Sequence, residues 1–206
     1  MSRVITICRE FGSGGREVGS RVAEILRVPY YDEEIVQELS NRTQLALSYV
    51  NQFSESGVLN YFPITTGRSF ERHVNLNPSA LYNLNLHMEQ SKLLMELAMK
   101  SDCVIVGRCA NHILRDFKPL RVFIYASMES KIKRCKEKAH EHENLSDKEL
   151  ARHINEIDKR RAKYYKAVTD RHWADKGDYD IMLNTTNYPI ALAAQIIAQK
   201  ILFGTH

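Results

Sequence analysis

Near the start of the chain a largely apolar run, Val4-Ile-Thr-Ile-Cys8, passes directly into Arg9-Glu-Phe-Gly-Ser-Gly-Gly-Arg-Glu-Val-Gly19. Few folds accommodate that order. A run of strand length is followed by clustered glycines and then by Val18, Val22, Ile25 and Leu26 at helical spacing, so the glycines fall where a strand becomes a helix. Glycine reaches positive φ without steric cost and lets backbone N–H groups approach an anion, which the helix N-terminus also attracts. A tight turn without a ligand is the plainer meaning of the same residues. Ser13 and Arg16 beside the glycines favour a phosphate-binding loop.

The rest of the chain repeats the alternation. Cys103-Val-Ile-Val106 and Arg121-Val-Phe-Ile-Tyr125 read as strands buried on both faces of a parallel sheet, with further candidates at Tyr179 to Leu183 and near Val28 to Tyr31. Helical patterns fall between them: Ala80 to Lys100, a helix opened by the capping box Ser146-Asp-Lys-Glu149 and running to about Ala167, and a last one with Ile190, Ala194, Ile197 and Ile201 on one face. From Leu45 to Ser79 the pattern fades into polar and turn residues, among them Gly57, Pro63, Gly67 and Pro78, which reads as a variable insert. Strands alternating with helices predict an α/β fold. The 206 residues, 44% of them hydrophobic, suffice for one full core.

Composition excludes more than it selects. A formal charge of +4 suits a polyanionic ligand without demanding one. Cys8, Cys103, Cys109 and Cys135 form no CxxC pair, which argues against a zinc site or a secreted disulfide framework and for a reducing, cytoplasmic setting. The apolar run at Val4 to Cys8 is too short for a signal peptide or a membrane span. No nucleic-acid-binding module is recognisable.

Two short motifs compete for the glycine-rich turn. Asp32 lies about twenty residues beyond Gly12, where a dinucleotide fingerprint would place its ribose-binding acid, but Glu17 stands where that fingerprint needs a third glycine. The phosphate-loop pattern GxxxxGK[ST], aligned on Gly14, has Arg9 for its first glycine, Gly15 for its lysine and Arg16 for its hydroxyl residue. Neither motif is complete.

The wider order of landmarks resembles the cytidylate kinase-like proteins, relatives of the nucleoside monophosphate kinases. The residues that carry the resemblance are Ile5-Thr-Ile7 with Gly12-Ser-Gly14, Tyr31-Asp32, Gly107-Arg108, Val122 to Ser127, Asp158-Lys-Arg-Arg161 and Tyr179-Asp-Ile-Met-Leu-Asn-Thr-Thr186. The resemblance implies a phosphate-loop kinase fold over 1–206: a parallel five-stranded sheet flanked by helices, an acceptor-binding insert at about 40–100 and a lid at about 134–165. It also implies ATP with magnesium as donor, a nucleotide or small phosphate-bearing acceptor as partner, and neither membrane nor nucleic acid; homo-oligomerisation stays open.

By position the resemblance assigns Gly12, Ser13, Gly14, Gly15, Arg16, Glu17, Arg134 and Arg160 to the donor and Arg108 and Asp32 to the acceptor. Arg16, Arg161 and Asp32 take the catalytic roles, Ser13 is the loop hydroxyl nearest a metal, and Lys163 is a further lid cation. The departures are as specific. Gly15 occupies the place of the loop lysine, Glu33 and Glu38 stand where cytidylate kinases have serine and arginine, and Cys109 replaces the aspartate after glycine-arginine. A thiol cannot accept a base amine's hydrogen bond as a carboxylate does, so cytosine specificity is not implied.

Each residue also has a plainer meaning. Arg16 could be an exposed helix-start cation, Arg108 the partner of a structural carboxylate, and Asp32 a cap for the helix beginning at Glu33. The stretches Lys131 to Lys138 and Asp158 to Lys163 read as solvated faces, with Cys135, His140 and His142 poor candidates for a metal site. Tyr164, Tyr165 and Trp173 read as packing more readily than as base-stacking groups.

Overall fold

The computed structural model describes residues 3–56, 78–138 and 145–204. Its sheet is wholly parallel: β1 (Val4–Arg9), β2 (Tyr30–Tyr31), β3 (Cys103–Val106), β4 (Leu120–Tyr125) and β5 (Ile181–Asn184) lie in the order β2-β3-β1-β4-β5. Around it stand α1 (Gly15–Leu26), α2 (Glu33–Thr43), α3 (Leu47–Ser56), α4 (Pro78–Lys100), the single turn α5 (Ala110–Ile113), α6 (Met128–Lys138), α7 (Asp147–Thr169) and α8 (Ile190–Phe203).

Covering both faces of the sheet explains why its strands are continuously apolar. Ile5, Ile7, Val104, Val106, Val122 and Ile124 pack with Val18 and Val22 of α1 and with Ala194, Ile197 and Ile201 of α8. Val4, Cys103 and Ile105 point the other way, onto a core built with α2, α3, α4 and α7. Alternate residues of one strand thus feed opposite layers, as the period of two requires. Ile25, expected on the buried stripe of α1, is 44% exposed. The helix turns it past the edge of the apolar face that Val18 and Val22 occupy.

Several boundaries differ from the sequence reading for visible reasons. Strand β5 begins at Ile181, because Tyr179 packs sideways against Phe123 and Asp180 binds the backbone N–H and guanidinium of Arg121. Strand β2 is only Tyr30–Tyr31, although the Pro29 carbonyl still accepts from Val104 N–H at 2.9 Å. Helix α3 lies inside the stretch read as patternless. Its Val50 and Phe53 are fully buried, and their three-residue spacing was the available signal. Gly57, Pro63 and Gly67 of that stretch lie outside the described residues, as do His140 and His142. The Ser146 capping box forms, with the Glu149 carboxylate accepting from Ser146 N–H at 2.9 Å; such a cap contributes about 0.5–2 kcal/mol.

Among the described residues no helix is long and apolar enough to cross a membrane.

Candidate active site

The chain leaves β1 through α1 toward edge strand β2 and leaves β3 toward β4 on the other side of β1. Such a switch opens a crevice beyond the C-terminal ends of those strands. The glycine-rich loop enters it from β1, and Gly107-Arg108-Cys109 enters it from β3.

The loop's conformation is the one its glycines permit. Gly14 caps α1 in the left-handed region at φ 80°, and a Cβ there would also press on Ile190 at the start of α8. The first N–H groups of a helix have no intrahelical acceptor. Gly14, Gly15, Arg16 and Glu17 line a cavity of about 960 Å³ that Arg9, Glu10, Phe11, Gly12, Arg134, Cys135, Lys136, Lys138, Leu145, Leu150, His153 and Arg161 complete. The cradle is strongly basic, with six Arg and Lys side chains against Glu10 and Glu17. Its other wall is apolar through Leu145, Leu150 and Phe11, the last edge-on to His153 at 5.8 Å between ring centroids.

The neighbouring helices clamp this loop. Asp158 of α7 accepts from Phe11 N–H at 2.7 Å and from Lys131 Nζ at 3.2 Å, and Lys131 also meets Glu10 at 2.7 Å. Burial raises the Asp158 pKa, opposed by the Phe11 N–H and the cations Lys131 and Arg161. Arg161 donates to the Arg9 carbonyl at 3.3 Å and stands 5.7 Å from the Phe11 ring centroid. The two stretches read as solvated therefore turn one side inward. Lys131 is 5% exposed, because a carboxylate from each flanking segment meets its charge.

Arg134 donates to the Thr185 carbonyl at 2.5 Å and to the Gly12 carbonyl at 3.5 Å, at the wall of the large cavity. Arg160 and Lys163 are exposed on α7 and are not among the residues that line this cavity.

A second, smaller cavity of about 30 Å³ lies beside the first. Its lining comprises Cys8, Arg9, Gly107, Arg108, Cys109, Arg161, Tyr164, Tyr165 and Trp173: three arginines and no carboxylate. Gly107, Arg108 and Cys109 are successively left-handed, at φ 76°, 60° and 53°. That turn bends the chain out of β3 and carries the 6% exposed Arg108 to the crevice. Its carbonyl accepts from Gln90 at 3.2 Å, and Gln90 also binds the Tyr164 hydroxyl at 3.0 Å. Tyr165 holds Asn111 at 2.9 Å, while Tyr164 and Trp173 pack edge-on against Phe53 and Phe123. Their rings are packing, and the Tyr164 and Tyr165 hydroxyls are tied inward. Burial pushes the Cys8 thiol up to about 11 and raises that of Cys109 well above its ordinary value.

Asp32 joins the two regions. It is 3% exposed, makes no cap hydrogen bond to α2, and meets Arg16 at 2.8 Å and Arg9 at 3.6 Å. Of the two readings of Asp32, the side-chain cap does not form, since two guanidiniums claim the carboxylate. Arg16 is shared between Asp32 and, at 2.9 Å, Glu33.

Two site features differ from the sequence reading. Ser13 is fully buried, donates its hydroxyl to the Glu10 carbonyl at 2.8 Å and lies outside the cavity lining, so as folded it offers a metal no accessible oxygen. The nearby carboxylates Glu10, Asp158 and Asp32 are each already paired with a cation, and among the described residues no metal-ligating cluster occurs. These residues do not build a magnesium site. The loop cradle, by contrast, fits nucleotide phosphates. Arg9 was missed, although the signal was present: like Arg108, it is a cation directly at the end of an apolar strand.

A sequence profile described as the cytidylate kinase-like family matches residues 4–187. No curated protein matches the chain. Among solved structures, an uncharacterized protein from Eubacterium ventriosum ATCC 27560 aligns with TM-score 0.71 and 24% identity, over 98% of this chain and 99% of that one. Shikimate kinase from Bacteroides thetaiotaomicron aligns with TM-score 0.56 and 17% identity, over 97% and 98%. Shikimate kinase from Acinetobacter baumannii, in complex with shikimate, aligns with TM-score 0.51 and 15% identity, over 98% and 94%. At these identities the likeness is one of fold.

Proposed function

We propose that this chain, which belongs to the cytidylate kinase-like family, is an ATP-dependent phosphotransferase acting on a nucleoside monophosphate or another small anionic acceptor. The observation that carries the reading is the adjacency of a glycine-built, basic cavity large enough for a nucleotide and a small cavity lined by three arginines. Phosphoryl transfer asks a protein chiefly for in-line positioning and for cations around the transferring group. The donor phosphates would rest on the backbone of Gly12 to Arg16, with the base against Leu145 and Leu150. The acceptor's anionic group would lie with Arg108 and Arg161, and Asp32 would hold Arg9 and Arg16 in position.

In the reaction, an acceptor oxygen bonds to the γ-phosphorus as the bond to the β–γ bridging oxygen breaks, its electron pair leaving with ADP. An ionised phosphate oxygen as nucleophile has no proton to lose, whereas an alcohol oxygen would release its proton to water as the new bond forms. The shikimate kinase neighbours keep carboxylate-bearing alcohols in view, because a carboxylate satisfies the same arginines.

The test is acceptor-dependent ADP release with purified protein, magnesium and ATP, across CMP, dCMP, UMP, AMP, shikimate and other small hydroxylated anions. Turnover with one of them is expected. ATP binding without turnover on any would instead favour a nucleotide-binding module that no longer transfers phosphate. What speaks for that second reading is Gly15 in place of the lysine, with Arg16 engaged by Asp32 and Glu33.

A further inference from the structure

We propose that Arg9 supplies to the transferring phosphoryl group the charge that the missing loop lysine would bring, an inference that rests on the phosphotransferase reading. Arg9 ends β1 and lines both the large cavity and the small one. Its side chain therefore spans their junction, with the stem beside Gly15 of the large cavity and the guanidinium beside Gly107 of the small one, along the path a γ-phosphoryl group would take between donor and acceptor. The fold makes room for it there: a Cβ at Gly107 would collide with the guanidinium, and one at Gly15 would collide with the Arg9 side-chain stem. The glycine that displaces the lysine is thus also one that admits the arginine.

The hydrogen bonding of Arg9 is incomplete. The residue is 9% exposed, yet its Nε has no acceptor. Its carboxylate contact, Asp32 at 3.6 Å, is too long for a hydrogen bond, and the Asp32 Oδ1 that faces it also lacks one. A buried guanidinium with an unmet N–H is costly unless something completes it, and a planar fork of donors suits phosphoryl oxygens. Two other cations close to the loop are worse placed. Arg16 has a side chain 47% exposed and held by two carboxylates at 2.8 and 2.9 Å. Lys131 is neutralised by Glu10 and Asp158 and lines neither cavity.

During transfer the Arg9 N–H groups would donate to the equatorial oxygens of the phosphoryl group as its bond passes from the β–γ bridging oxygen to the acceptor oxygen. Arg9 itself takes and releases no proton.

The experiment compares binding of ADP with binding of ADP plus magnesium and aluminium fluoride, a mimic of the transferring group, in wild type, Arg9→Gln, Arg9→Lys and Arg16→Gln. In Arg9→Gln the fluoride-dependent gain in affinity should fall by about tenfold or more while ADP binding is largely kept; Arg9→Lys should recover part of it, and Arg16→Gln should lose less than Arg9→Gln. Retention of the whole gain in Arg9→Gln, or a larger loss in Arg16→Gln, would overturn the role of Arg9 alone. Should Arg9→Gln fail to fold by circular dichroism, Arg9→Lys decides: a reduced gain supports the role and an undiminished one overturns it. Wild-type protein that binds no ADP at all would overturn the phosphotransferase reading, and the inference with it.

Discussion

The two cavities of the crevice are built in opposite ways. The large one takes much of its lining from one loop, Arg9 to Gly12 and Gly14 to Glu17, and adds exposed cations such as Arg16 and Lys138. The small one is drawn from the ends of β1 and β3, from α7 and from the segment after it, and its arginines Arg9, Arg108 and Arg161 are largely buried. A cradle of amides and glycines recognises phosphate wherever it occurs, whereas an enclosed set of guanidiniums is selective for shape and charge. On the proposed reading this separates a permissive donor side from a demanding acceptor side, with Arg9 and Arg161 shared between the two cavities.

The strongest way to break that division is Arg108→Ala. It should lower kcat/KM for the true acceptor by about two orders of magnitude while ATP affinity, read by calorimetry, stays near wild type. A comparable loss of ATP binding would mean that the two sides are not separate. On the donor side, Gly14→Ala puts a side chain at φ 80° and against Ile190. The left-handed penalty of about 1–2 kcal/mol should appear as a lower denaturation midpoint, together with weakened ATP binding.

A gentler probe uses Cys135, which lines the large cavity and is partly exposed, unlike the buried Cys8, Cys103 and Cys109. Burial raises its pKa, so alkylation by iodoacetamide should be slow near neutrality and faster as pH rises. Saturating ATP should slow it further, and peptide mapping should find Cys135 modified before the other three. If nucleotide gives no protection, the donor does not occupy this cavity.

The smallest expected effect concerns the wall of the acceptor side. His87 lies 3.2 Å from the Tyr164 hydroxyl, and burial, with a smaller contribution from His112, lowers its pKa below 6.5. The folded state then binds a proton less readily than the unfolded one, so the contribution is fully present above pH 6.5 and is lost as pH falls through the depressed value. His87→Asn should flatten the pH dependence of urea midpoints between about pH 5 and 7. An unchanged slope would remove His87 from that account.

These tests bear on parts of the molecule that were unequally legible in the sequence. The β1 run, the Gly12 to Gly15 turn and the Ser146 cap could be read because each is a local pattern whose physics acts within one or two turns of chain. Helix α3 escaped because its buried pair, Val50 and Phe53, is set among polar residues, and only contact with the core supplied by α4 and α7 gives it a reason to fold. Lys131 and Asp158 looked solvated because charge implies solvent unless a partner is known. Their partners, Glu10 and the Phe11 amide, are more than a hundred residues away.

By itself, then, the sequence determined the alternation of strand and helix, the parallel sheet and a glycine-rich loop suited to phosphate. It also recorded the absence of the loop lysine, since Gly15 occupies that place whatever the fold. Only the tertiary structure decided where the cations go. It brought Arg9, Arg108 and Arg161 to one small cavity and tied Arg16 to Asp32 and Glu33. Electrostatic interactions depend on distance and burial, and neither can be read along a chain.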